Sequence, residues 1–160
     1  MSKEILIEQH TACFDEDTWF VSLKNAIAGL TAEQAAWKPN GADNTIWEEV
    51  NHLTFWNERW LQRYGGELNR PEDVENTGTF RSDETDWHAA CEKLFSVMAE
   101  WREILNSITE QKLASPVNDE YQASWHVPLA QQNVHNAYHI GQIVLMRKLQ
   151  GSWDRAKGVS

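Results

Sequence analysis

The sequence predicts an all-α protein, a four-helix bundle, and three observations predict it. Apolar residues recur at helical rather than strand spacing through four long segments. Two capping boxes, "TAEQ" at Thr31–Gln34 and "TIWE" at Thr45–Glu48, mark helix starts. Breaks rich in Pro, Gly and Asn separate the segments, so each long helix turns back on the one before it.

The first helix is expected from about Lys3 to about Leu30. Leu6, Cys13, Phe20 and Ile27 recur every seven residues, with Ile5, Ala12, Trp19, Ala26 and Leu30 beside them. His10 and Asp17 interrupt one stripe of that seam. Thr31 then opens a short helical turn that Lys38-Pro39-Asn40-Gly41 ends. The second long helix starts at the Thr45 box, which ties Glu48 to the helix start. Ile46, Val50, Leu53, Trp60, Leu61 and Tyr64 form its apolar face, and Gly65-Gly66 is its stop. From about Asn69 to Ser82 the chain is polar, with Pro71, Asn76 and Gly78, and reads as a surface loop. Trp87, Cys91, Leu94, Met98, Trp101, Leu105 and Ile108 give the third helix the cleanest heptad pattern of the chain. A second loop, through Pro116, Asn118 and Asp119, leads to Pro128 near the start of the fourth. That helix runs to about Gln150, with Arg147 and Lys148 in its last turn and Gly151 beyond.

At 160 residues the chain suits one domain over residues 1–160, with a substantial core. Its net charge of −10 opposes binding to nucleic acid, and no Lys/Arg run offers a local exception. No stretch approaches the roughly 20 apolar residues of a membrane span, and the N-terminus lacks the apolar core of a signal peptide. A cytoplasmic location is the default expectation. Cys13 and Cys91 belong to no CxxC pair and read as reduced, buried thiols. Nine tryptophans are a surplus that suggests a thick core and the walls of a pocket.

The fourth helix carries "HNAYHIGQI", in which His135 and His139 stand one above the other. With Gln142, Met146 and Leu149 they form one stripe, which should face the core or a cavity in it. Buried imidazoles need partners for both ring nitrogens, and a divalent metal such as zinc, nickel or iron supplies one to each. His52, in the middle of the second helix, can meet that pair if the two helices are neighbours. Among the other histidines, His10 reads as a satisfied interior residue, and His88 and His126 as surface residues, His126 in the loop before Pro128.

"GLTAEQAAWKP", then "NTIWEEVNHLTFWNERW", and much later "HNAYHIGQI", together resemble the DinB/YfiT-like family of metalloenzymes. The resemblance covers nearly the whole chain. It implies a three-histidine metal site made of His52, His135 and His139. It also implies an enzyme that uses the metal to activate a low-molecular-weight thiol (bacillithiol, mycothiol or glutathione) for transfer to a small electrophilic substrate, and a homodimer. Trp101 or Trp153 would then offer aromatic surface for a partner to cover. Glu49 is a candidate acceptor for a ligand N–H, and Gln142 and Tyr138 are candidates to touch the open metal position. Three neutral ligands leave both charge and a coordination position uncompensated, which favours chemistry over scaffolding. A metal-dependent hydrolase, or a non-catalytic stress or interaction protein with a structural metal, are the alternatives.

Overall fold

Four long helices carry the chain in the computed structural model, which describes residues 2–67, 74–81 and 85–157. They are α1 (Ser2–Phe14), α4 (Ile46–Tyr64), α5 (Trp87–Ser107) and α7 (His126–Gln150). Three short helices, α2 (Leu23–Ile27), α3 (Ala32–Ala36) and α6 (Glu110–Ala114), lie between them. α4 packs on α5 and α7, and α1 packs on the same two, so the four close into a ring that sets α4 beside α7. The protein is an all-α bundle, as the heptads and caps predict. No helix among the described residues is long and apolar enough to cross a membrane.

The first helix departs from expectation. α1 ends at Phe14, and the chain re-enters a helix only at Leu23. The sequence between contains Asp15, Glu16 and Asp17, acids that the negative end of a helix disfavours. Asp17 instead accepts from the Ser22 backbone N–H (2.8 Å), the Ser22 hydroxyl (2.9 Å) and the Asn25 amide (3.0 Å), which holds a loop open. The heptad residues Leu6, Cys13 and Ile27 are buried despite the break, whereas Trp19 is 94% exposed. Periodicity survived; helical continuity did not.

Both capping boxes form as read. At α4 the Glu48 N–H donates to Thr45 Oγ1 (3.1 Å), and the Thr45 N–H donates to the Glu48 carboxylate (2.8 Å). The segment expected as a polar loop contains a 3₁₀ turn at Asn76–Phe80 that buries Thr79, while Pro71 lies outside the described residues. α7 begins earlier than expected. His126 is its first residue and not a loop residue, because buried Trp125 anchors the entry and Pro128 suits a first turn that needs no N–H. Both cysteines are free and buried. Trp87, Trp101 and Trp125 fill the core, so Trp101 is not the surface residue expected of it; Trp153 is half-buried under Arg147.

Two buried polar features hold the helices in register. Asn57 of α4 and Asn136 of α7 exchange amide hydrogen bonds (2.8 and 3.1 Å), and Asn57 Oδ1 also accepts from Gln132. The remaining Asn57 N–H goes to the Leu53 carbonyl, and Trp101 Nε1 donates to the Asn57 carbonyl (3.0 Å). On the other side of the bundle His10 bonds the Met98 carbonyl at 2.9 Å, the satisfied interior histidine that was expected.

Burial lowers the His10 pKa from 6.5 to about 4, an effect its carbonyl bond only partly opposes. The folded state therefore resists the proton that the unfolded chain takes up near pH 6.5, so stability falls as pH drops from 6.5 toward 4. At about 1.4 kcal/mol per pKa unit the loss is about 3 kcal/mol. Urea midpoints measured between pH 7 and 4.5 should fall more steeply in the wild type than in His10→Gln; equal slopes would contradict this.

Candidate metal centre

α4 and α7 bring three imidazoles to one point. His52 Nε2 and His139 Nε2 each stand 3.1 Å from His135 Nε2, and the ring centroids are 4.5 to 5.1 Å apart. His52 and His139 are buried and His135 is half-buried. The α4–α7 pairing explains the convergence: the Asn57–Asn136 amide pair ties α4 five residues past His52 to α7 at the position directly after His135, which holds the two helices in register beside the histidines. One ring nitrogen from each of His52, His135 and His139 lies within 4.8 Å of the others, so the three could hold a metal ion.

The outer hydrogen bonds set the tautomers. Thr79 Oγ1 donates its single proton to the Asn76 carbonyl (2.6 Å), so it accepts from His52 Nδ1–H, 2.6 Å away. Glu49, fully buried, accepts from His139 Nδ1–H at 2.5 Å. With both Nδ1 atoms protonated, Nε2 of His52 and of His139 carries a lone pair aimed at His135. A single His135 N–H does not satisfy two such lone pairs at full strength, but one cation at the centre satisfies all three. Nitrogens about 3.3 Å apart are what a tetrahedral ion with ~2.0–2.1 Å bonds requires. The residues fit a divalent metal held by imidazole nitrogen, with second partners of the kind such ligands carry.

Two of the three rings resist taking up a second proton. Burial, and then the His139 and His135 imidazoles, lower His52 to about 3; burial, and then the His139 imidazole, lower His135 to about 4. Phe80 stacks flat on His52 (4.1 Å, 11°) and excludes water from that face. The centre opens on its outer side into a cavity of about 820 Å³, whose wall includes Asn40, Asp43, Asn44, Tyr138 and Gln142. Gln142 and Tyr138 line the open side, and Glu49 takes the N–H of His139, the candidate ligand. Met146 is buried on the histidine stripe, but Leu149 at its end is exposed.

His88 is no part of the cluster; it is exposed and paired with Glu92 at 3.2 Å. His126 bonds Ser2 Oγ (3.0 Å) and takes no part. Thr79 and Phe80 were missed from the sequence. A Thr-Phe pair in a polar stretch has no periodicity, and only the 3₁₀ turn aims both at His52. Thr79→Val keeps the shape of the side chain and removes the acceptor. It should weaken zinc binding by about 10–100-fold in competition with a chromophoric chelator, with the circular dichroism unchanged. Unchanged affinity would show that Thr79 does not orient His52.

Comparison with known proteins identifies a family. No curated protein and no solved structure matches the chain. The family model described as DinB superfamily matches residues 16–143, a span that contains His52, His135 and His139 together with the Thr79 turn and the Glu49 acceptor. Over half of the chain matches that one family model, and the protein belongs to the DinB superfamily.

Proposed function

We propose that the protein is a metal-dependent enzyme that activates a small thiol for transfer to an electrophile. The observation that carries the reading is three Nε2 atoms converging at the floor of an open cavity of about 820 Å³, not within a closed four-ligand shell. A divalent metal there supplies Lewis acidity, which holds a thiol as thiolate at neutral pH. The chain supplies the rest. Glu49 and Thr79 hold the imidazoles in one tautomer, Phe80 keeps water from His52, and Tyr138 and Gln142 offer a hydroxyl and an amide to a bound ligand. Glu49 is committed to His139, so the buried carboxylate in the wall does not double as a general base for hydrolysis.

Charge narrows the thiol. The described cavity lining carries Asp43 and Glu49 but no Lys or Arg. Glutathione and bacillithiol carry paired carboxylates that need cations; mycothiol has no ionisable group besides its thiol and suits this wall better. Cobalt-loaded protein tests the reading. A mycothiol-type thiol should add a sulfur-to-cobalt band to the visible spectrum, and the band should be absent in the His→Ala variants. Cobalt loading with no sulfur band for mycothiol, bacillithiol, glutathione or cysteine overturns the thiol reading and leaves hydrolysis or a structural metal.

We infer in addition that the protein is a homodimer assembled through α7. Val134, Leu145 and Leu149 are exposed apolar residues spaced along one side of that helix. α7 has no Asp or Glu among its 25 residues, in a chain of net charge −10, so two copies meet there without carboxylate repulsion. Light scattering should give twice 18.5 kDa, and Leu145→Glu with Leu149→Glu should halve it. A wild type that scatters as a monomer at micromolar concentration would reject the dimer.

A further inference from the structure

A second, smaller cavity of about 280 Å³ lies against the metal centre and shares His135 and Asn76 with the main one as walls. Trp56 and Trp60 of α4 line one side, and Pro128, Gln131 and Gln132 of α7 line the other. Trp56 and Trp60 follow His52 at intervals of four residues, so the three form one line along the helix. Pro128, Gln131 and Gln132 stand in the same way one and two turns before His135. The slot between these two lines ends at the His135 imidazole.

Its chemistry is distinct from that of the main cavity. Two indoles and a proline make the wall apolar, and the described lining residues carry no full charge. Both indoles are half-buried and held in place: Trp56 meets the His52 ring edge-on (6.4 Å), and Trp60 packs edge-on against Trp125 (6.2 Å) and Tyr121 (6.1 Å). Fixed aromatic walls favour a flat apolar guest, which they contact without first losing side-chain freedom. The volume suits one ring, not a fused system with long substituents.

We propose that this slot is the specificity site for a planar apolar group, aromatic in the simplest case, borne by the substrate next to its metal-binding atoms. Trp56 and Trp60 form its α4 wall, and the exposed Gln131 stands at its mouth on the α7 side. The proposal rests on the metal reading of the three histidines, and zinc content separates the two.

Zinc-loaded protein titrated calorimetrically with acetohydroxamate and with benzohydroxamate provides the test. The two share a chelating head and differ by the ring. Benzohydroxamate should bind about tenfold tighter or better. Trp60→Ala, and Gln131→Trp at the mouth, should each bring the two affinities within about twofold of each other, leaving zinc content and acetohydroxamate binding as in the wild type. Gln131 is exposed, so that variant keeps the test valid if Trp60→Ala unfolds. Equal affinities in the wild type, an aryl preference that survives both variants, or zinc loading with neither hydroxamate bound would each overturn the slot. Failure to load zinc would overturn the metal reading itself, and the slot with it.

Discussion

Replacing His135 by alanine is expected to cost at least about a hundredfold in zinc affinity, and His52→Ala and His139→Ala as much. Removing a hydrogen-bond partner from behind a ligand costs about 10–100-fold, and removing the ligand itself costs more. His135 is the central one of the three, with Nε2 at 3.1 Å from both of the others. Without it, the lone pairs that Thr79 and Glu49 direct inward share a cation through only two bonds. His88→Ala and His126→Ala should leave the metal in place, since one is exposed and paired with Glu92 and the other bonds Ser2. Elemental analysis of untagged protein, variant against wild type, checks the whole set. Full metal in any one of the three variants would remove that residue from the site.

The loss should also appear as stability. A ligand that binds only the folded state raises its stability by about 2.7 kcal/mol at a hundred times its dissociation constant. Chelation of the wild type should therefore lower its melting temperature, whereas chelation of His135→Ala should change little.

The three histidines that converge were legible in the sequence because two different regularities point to them. His135 and His139 satisfy the helical spacing within one segment, and His52 stands mid-helix in another with an unambiguous cap. Glu49 was legible for the same reason: it precedes His52 by three residues on the same helix and faces α7 with it. What the sequence did not reveal depends on competition between local and distant interactions. The seven-residue repeat through Phe20 and Ile27 argues for one long first helix, yet Asp17 binds three donors in the loop and breaks it. Thr79 and Phe80 lie in a segment without period, and their role exists only because a 3₁₀ turn carries them across α4. Trp101 reads as a possible surface aromatic on composition, but its heptad position, which the same sequence displays, puts it in the core.

The second large effect is expected at Asn57, five residues along α4 from His52. Asn57 uses its whole hydrogen-bonding capacity inside the bundle: both N–H groups donate, and Oδ1 accepts from Asn136 and from Gln132. Asn57→Leu removes these partners and leaves the buried Asn136 and Gln132 amides with unmet donors and an unmet acceptor. At about 1–3 kcal/mol for each buried group left unpaired, the variant should lose about 3 kcal/mol or more. The pair also fixes the register of α4 against α7, so zinc affinity should fall although no ligand is touched. Asn57→Leu with Asn136→Leu distinguishes the two effects. Apolar residues on both sides leave fewer amides unpaired, so the double variant should be more stable than the sum of the single losses predicts. Its zinc affinity should remain low, because leucines slide where paired amides do not. Recovery of both stability and zinc affinity in the double variant would show that the amides stabilise the bundle without setting the geometry of the site.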